Sequence, residues 1–203
     1  MLEGIDGSGK STQARLLAGF LDAVSTAEPG ATRLGSRLRE VLLDSAGEPV
    51  SVRSEALLMA ADRAQHVERV LIPNLRSGVW VVSDRFSAST LAYQGYGRGL
   101  RIAELTAVVR FATCGVTPDL QILLDVPVGV ARSRMEQTAT DRFEHLGAEF
   151  FTRVRDGYLA LVAADPDRWQ VVDGTEEVSV VEARIRDAVV GRLGPLPEAA
   201  GSR

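Results

Sequence analysis

Lysine is almost absent from this 203-residue chain: Lys and Arg total 23, and Lys10 is the single lysine among 22 arginines. A guanine-specifying NKxD-type segment therefore cannot exist, which argues against a GTPase. Cysteine occurs once, at Cys114, so no internal disulfide can form; a lone cysteine suits a reducing compartment and is expected as a small buried hydrophobe. No apolar run is long enough to span a membrane, and the first residues are acidic rather than basic, so neither an anchor nor a leader is expected and the cytoplasm is the expected compartment. The net charge of −4 argues against a nucleic-acid or anionic-membrane surface. Any basic cluster should serve a small ligand.

What is present starts with that lysine. Gly4-Ile5-Asp6-Gly7-Ser8-Gly9-Lys10-Ser11 satisfies the phosphate-loop pattern GxxxxGK[ST]. Glycines let the loop fold back so that successive backbone N–H groups converge, and a helix starting near Lys10 adds its positive end. Lys10 then meets the β- and γ-phosphates as a point charge, and the Ser11 hydroxyl is a candidate Mg²⁺ ligand.

The length and 45% hydrophobic content suit one globular domain, read here as 1–193 with a frayed tail over 194–203. Strand-like runs (Met1 to Glu3, Ala23 to Thr26, Val79 to Ser83, Leu120 to Val126, Trp169 to Val172) alternate with helical patterns. That alternation predicts a three-layer α/β domain, a parallel sheet of about five strands flanked by helices. One long helix is expected over Val52 to Ser77, kinked at Pro73. Two places are unusually short: only Met1 to Glu3 precede the phosphate loop, and the first helix runs into Ala23 with little room for a turn.

In a parallel sheet the carboxyl ends of strands share one edge, so Asp84 and Arg85, closing the run Val79 to Phe86, fall beside the phosphate loop. Asp84 is a second candidate Mg²⁺ ligand, and Arg85 offers a fork of donors to another phosphate. The next segment puts Ser89, Thr90, Tyr93 and Gln94 on one helical face suited to a base and a sugar, while Met59, Arg63 and His66 recur at helical spacing upstream. His66 is read as a surface or helix-lining residue and His145 likewise, neither as a catalyst.

Together these segments resemble bacterial thymidylate kinases, of the nucleoside monophosphate kinase branch of P-loop NTPase folds. The similarity runs in order through Glu3 to Gln13, Glu28 to Thr32, Ala61 to His66, Asp84-Arg85-Phe86, Ala92 to Gly95, Leu123 to Pro127, Asp141 to Glu144 and Phe150 to Tyr158. It implies transfer of the γ-phosphoryl group of ATP to dTMP, with Mg²⁺, in a homodimer. Gly4, Ile5, Asp6, Gly7, Ser8, Gly9, Lys10, Ser11 and Thr12 would bind ATP, and Asp6, Met59, Arg63, Arg85, Ser89, Thr90, Tyr93 and Gln94 would line the dTMP side. Lys10, Asp6 and Arg85 carry the chemistry with lid arginines Arg134 and Arg142; the lid spans about 132–144, with Arg132 a further candidate. Two positions depart from the family pattern: Ala27 replaces the usual arginine before Glu-Pro-Gly, and Met59 replaces an aromatic, so weaker acceptor binding is expected. Two other readings stay open, a deoxynucleoside kinase with Glu28 as base, and a nucleotide-binding module without turnover.

Overall fold

In the computed structural model, which describes residues 1–44, 47–135 and 146–194, five strands form one all-parallel sheet. They are β1 (Leu2–Glu3), β2 (Val24–Ala27), β3 (Val81–Asp84), β4 (Gln121–Asp125) and β5 (Trp169–Asp173), in the order β2-β3-β1-β4-β5. β4 shows why both faces must be covered. Its Ile122 and Leu124 pack with Leu2, Leu17, Val82, Val172 and Ile185 on one face, whereas Leu123 packs with Ile5, Tyr93, Phe151, Tyr158 and Trp169 on the other. The period-two alternation of a strand thus feeds two apolar layers, each sealed by helices.

α1 (Lys10–Leu21) and α9 (Val178–Leu193) cover the first face. α7 (Val128–Met135) and α8 (Ala148–Ala164) contribute to the second, together with α5 (Ser87–Thr90) and the π-helical turn Leu91–Gly97 that continues it. α2 (Arg33–Leu43), α3 (Val52–His66), α4 (Ile72–Arg76) and α6 (Ile102–Thr113) complete the described helices. The short turn after α1 is closed locally: Asp22 takes a left-handed conformation (φ 49°), and Ala23 N–H bonds back to the Ala18 carbonyl at 2.9 Å.

Two expectations change. The helix from Val52 runs unbroken to Arg76, but ahead of Pro73 it widens into a π-helical segment, Val67–Leu71, before α4. Pro73 has no N–H and its ring crowds the carbonyl of the preceding turn, so the wider turn ahead of it relieves the clash. Cys114 is exposed, not buried, at the end of α6, which it caps in a left-handed conformation (φ 49°). The tail beyond Gly194 lies outside the described residues.

The central strand β1 has two residues between longer neighbours, pairing Leu2 with Asp84 and Ile122. Ahead of it lies a cavity of about 290 Å³ lined by Met1, Leu17, Leu71, Val79, Val81 and Leu120. The Met1 ammonium donates to the Leu120 carbonyl at 2.7 Å, and its burial pushes its pKa down to about 6 against the pull of Glu3 and Asp119. An extension of about three β-branched residues ahead of Met1 should enter this cavity as strand and replace the buried amine by an amide. The expected result is a thermal midpoint several degrees higher, at about 2–4 °C per kcal/mol gained. An unchanged midpoint would show that the cavity does not accept a strand.

Candidate active site

The loop between β1 and α1 is built for an anion. Gly9 (φ 93°) opens α1 from the left-handed region, and at Gly7 (φ 79°) any side chain would strike the backbone carbonyl of Ala131. The first turn of α1 holds Lys10, Ser11 and Thr12 and no acidic residue, so its positive end is uncompensated. Lys10 is almost fully buried, and its Nζ donates to the Ile5 carbonyl at 2.8 Å and Ser8 Oγ at 3.4 Å. Burial, with Arg85 nearby, pushes the Lys10 pKa down to about 8.

β3 delivers its last residues to the same edge, as the parallel register requires. Ser11 Oγ donates to Asp84 Oδ2 at 2.5 Å, while Asp84 Oδ1 is buried with no hydrogen-bond partner among the described residues. An unsatisfied carboxylate oxygen beside a hydroxyl is a pair of hard oxygen donors, which fits Mg²⁺ completed by water and phosphate. Among the described residues no group of three or more His, Cys, Asp or Glu side chains forms a metal cage.

Arg85 lies just past β3 at φ 70°, a conformation disfavoured for a side chain of this size. Its backbone N–H continues the ladder to the Leu2 carbonyl, and its guanidinium reaches the Asp6 carboxylate, the Gly4 carbonyl (3.2 Å), Ser89 Oγ (3.1 Å) and Tyr93 Oη (3.2 Å). Burial opposes the Arg85 charge, but Tyr93 and Asp6 outweigh it and hold its pKa above the ordinary guanidinium value. Burial likewise opposes the Asp6 charge, but Arg85 and Lys10 prevail and lower its pKa. Behind Arg85, the fully buried Glu3 accepts from Phe86 N–H (2.9 Å), Ser89 Oγ (2.6 Å) and Tyr158 Oη (3.1 Å), and burial raises its pKa.

Two connected hollows result. An open cleft is lined by Gly7, Lys10, Ser11, Thr12, Asp84 and Arg134; a smaller cavity is lined by Met59, Arg63, Ser89, Thr90, Tyr93 and Gln94; and both share Asp6, Glu28, Pro29, Arg39 and Arg85. All eight residues expected on the acceptor side therefore meet in one place. Arg63 is only 2% exposed, and three of its five N–H groups are already used, by Glu28 (2.8 Å), Thr90 (2.8 Å) and the Phe86 carbonyl (2.9 Å). Two remain for the cavity.

Two readings change here. His66 is not a surface residue: it is fully buried, with Nδ1 at 2.8 Å from Glu28 Oε1 and Nε2 at 2.9 Å from Thr26 Oγ1. Glu28 thus has both oxygens occupied, one by Arg63 and one by His66, so it is poorly placed as a base. Arg39 was not anticipated. It lines both hollows and its Nη1 donates to the Pro29 carbonyl at 3.0 Å. The sequence held a signal: Arg39 follows buried Gly35 by four residues and precedes buried Leu42 by three, so its exposed side chain starts from the same stripe of α2. Arg134, near the end of α7, donates to the carbonyls of Gly174 (2.9 Å) and Gly7 (3.4 Å), bracing the phosphate loop against the segment after β5. Arg132 is partly exposed on the same helix, whereas Arg142, His145 and the lid beyond residue 135 lie outside the described residues.

A family model described as thymidylate kinase matches residues 2–185. The chain belongs to the thymidylate kinase family. It is 46% identical over 195 residues to a thymidylate kinase of Pelotomaculum thermopropionicum, covering 93% of this chain and 90% of that one, and 44% identical over 198 residues to one of Cutibacterium acnes, covering 95% and 96%. The crystal structure of thymidylate kinase from Ehrlichia chaffeensis superposes with a TM-score of 0.77 at 31% identity, over 93% of this chain and 96% of that one.

One buried carboxylate sets the turn that carries Gly30 beside the cleft. Asp62, 1% exposed, accepts from Gly30 N–H at 3.0 Å through Oδ1, and Oδ2 has no partner among the described residues. Burial and the neighbouring Glu28 push its pKa up to about 6 from 3.8. A folded pKa above the unfolded one contributes stability that is present below about pH 4 and lost as pH rises through 6. Asp62→Asn keeps an oxygen for Gly30 and removes the titration. Relative to the parent it should gain stability between pH 4 and pH 7, by as much as about 3 kcal/mol. Denaturant titrations of both proteins across that range check this, and a constant difference would show that Asp62 does not titrate there.

Proposed function

We propose that the two hollows seat the two substrates of a dTMP kinase, the cleft holding ATP and the cavity dTMP, so that the γ-phosphoryl group of ATP passes to the dTMP phosphate and yields dTDP. The observation that carries this is the shared wall. Asp6, Arg39 and Arg85 line both hollows, so the donor and acceptor phosphates would meet where two guanidinium groups are available.

The chemistry needs little more. An acceptor phosphate is already ionised at neutral pH, so no general base is required, and catalysis reduces to alignment and charge neutralisation. Lys10 and the amides of Gly7, Gly9, Lys10 and Ser11 neutralise and orient the polyphosphate, with Gly4 and Ile5 shaping the loop. Arg85 grips the acceptor phosphate, and Asp6 and Tyr93 hold Arg85 in place. Mg²⁺, held by Ser11 and Asp84, would supply charge neutralisation across the β- and γ-phosphates. Arg134 steadies the loop, and Arg142 is the proposed lid arginine. The occupied oxygens of Glu28 disfavour a hydroxyl acceptor, hence a deoxynucleoside kinase, because that reaction needs a free base.

A homodimer is supported by apolar side chains left exposed on neighbouring helices: Val41 on α2, Leu57 on α3 and Phe111 on α6. The cytoplasm suits a nucleotide kinase, and no described helix is long and apolar enough to cross a membrane.

An ADP-release assay with ATP and Mg²⁺, comparing dTMP, dUMP, thymidine and no acceptor, tests the reading. Turnover should be highest with dTMP and near background with thymidine; turnover with thymidine alone would overturn it. Lys10 adds a pH signature. With its pKa near 8, the charged form that meets phosphate declines above pH 8, so ATP affinity should fall by up to about tenfold per pH unit from there. Lys10→Arg should bind ATP more weakly, because the wider guanidinium fits the loop poorly, but without that slope, since arginine does not titrate in this range; a flat parental profile between pH 8 and 10 would contradict the assignment.

A further inference from the structure

The acceptor cavity has a polar wall whose sense is fixed from behind. Gln94 lines the cavity, is 1% exposed, and lies in the π-helical turn after α5. A carboxamide can present either its NH₂ or its oxygen to a ligand, and nothing within Gln94 decides which. Its Nε2 donates to Glu55 Oε1 at 2.9 Å. Glu55, in the first turn of α3 and also 1% exposed, receives Arg98 Nε at 3.3 Å and Nη2 at 3.0 Å. A carboxylate only accepts hydrogen bonds, so the NH₂ must face Glu55; turning the amide over would set oxygen against oxygen in a buried place. The oxygen is left for the cavity.

Arg63 lines the same cavity and has N–H groups to spare after its bonds to Glu28, Thr90 and Phe86. The wall therefore offers a donor from Arg63 and an acceptor from Gln94. A pyrimidine with a carbonyl beside a ring N–H, as in thymine or uracil, complements that pair. Cytosine, with an amino group beside a bare ring nitrogen, opposes it at both points. We propose that Glu55 is a positioning residue for acceptor specificity: by holding the Gln94 amide in one sense, it makes the cavity select keto pyrimidines over amino pyrimidines. This rests on reading the cavity as the dTMP site. Glu55 acts through Gln94, from outside the cavity lining.

The test compares dTMP with dCMP as acceptors, using inhibition constants against dTMP where dCMP turns over too slowly. In Glu55→Gln the new amide can donate or accept, so Gln94 is free to turn. The dTMP-to-dCMP ratio of kcat/KM should fall by about tenfold or more, with KM rising for dTMP, falling for dCMP and unchanged for ATP. A merely structural loss would depress both acceptors together and leave the ratio alone. The paired variant Glu55→Gln with Gln94→Glu exchanges donor and acceptor across the same bond, returns an oxygen to the cavity and should restore much of the ratio. Arg98→Met keeps the Glu55–Gln94 bond; it should lower the melting temperature and leave the ratio unchanged. An unaltered ratio in a folded Glu55→Gln protein, or an equal loss of ratio in Arg98→Met, would overturn the proposal. Absence of dTMP turnover in the parent enzyme would instead remove the underlying assignment of the cavity.

Discussion

The site depends on the contact between Arg85 and Asp6. Arg85 sits where β3 leaves the sheet, and Asp6 sits in the loop where β1 leaves it, so the pair fixes the two adjacent strand ends against each other. Tyr93 donates to the other Asp6 oxygen at 2.8 Å, and its ring lies 4.9 Å from the Arg85 guanidinium, which brings the π-helical turn into the same cluster. Without Arg85, Asp6 would be a half-buried carboxylate facing Lys10 and the phosphates alone. Without Asp6, Arg85 would have little reason to keep a left-handed backbone. Each residue makes the other's position affordable, and both hollows are bounded by the result.

Behind that pair the molecule repeats one device: a buried carboxylate aims a group that faces the substrates. Glu3 fixes Ser89 and Tyr158, both of which touch Arg85. Glu28 holds Arg63 on one oxygen and His66 on the other, Glu55 holds Gln94, and Asp62 holds the amide of Gly30. Such groups are poor sources of net stability, because desolvation offsets most of the attraction, but removing one partner leaves an uncompensated buried charge at a cost of about 3–5 kcal/mol. What they contribute is geometry. A guanidinium or carboxamide that must point one way before substrate arrives loses little freedom on binding.

How much of this the sequence disclosed follows from the range of the interactions. The phosphate loop is local, and Gly7, Gly9, Lys10 and Ser11 carry their meaning in their spacing. The sheet was legible because buried parallel strands are apolar throughout, as in Leu120 to Val126. Asp84 and Arg85 could be placed at the ligand edge because strand direction alone decides that. The buried carboxylates were not legible: Glu3, Glu55 and Asp62 look like ordinary surface acids until partners 83, 39 and 32 residues away close on them. His66 was misread for the same reason, since its two partners come from β2 and the turn after it. Cys114 was misread from its residue type: it is the exposed, left-handed cap of α6.

The use of arginine rather than lysine at positions 63 and 85 follows from the same geometry. Arg63 makes three directed bonds to three different elements, and Arg85 reaches a carboxylate, a carbonyl and two hydroxyls; an ammonium has three donors on one atom and cannot serve partners so far apart. A planar fork with five donors can be anchored on one side and still present N–H groups on the other, which a wall between two anionic phosphates requires. Lys10 is the exception that fits the rule. Where a flexible chain must place one compact charge within the phosphate loop, against the Ile5 carbonyl and the Ser8 hydroxyl, the fork is too wide and too rigid, and the ammonium is the better shape.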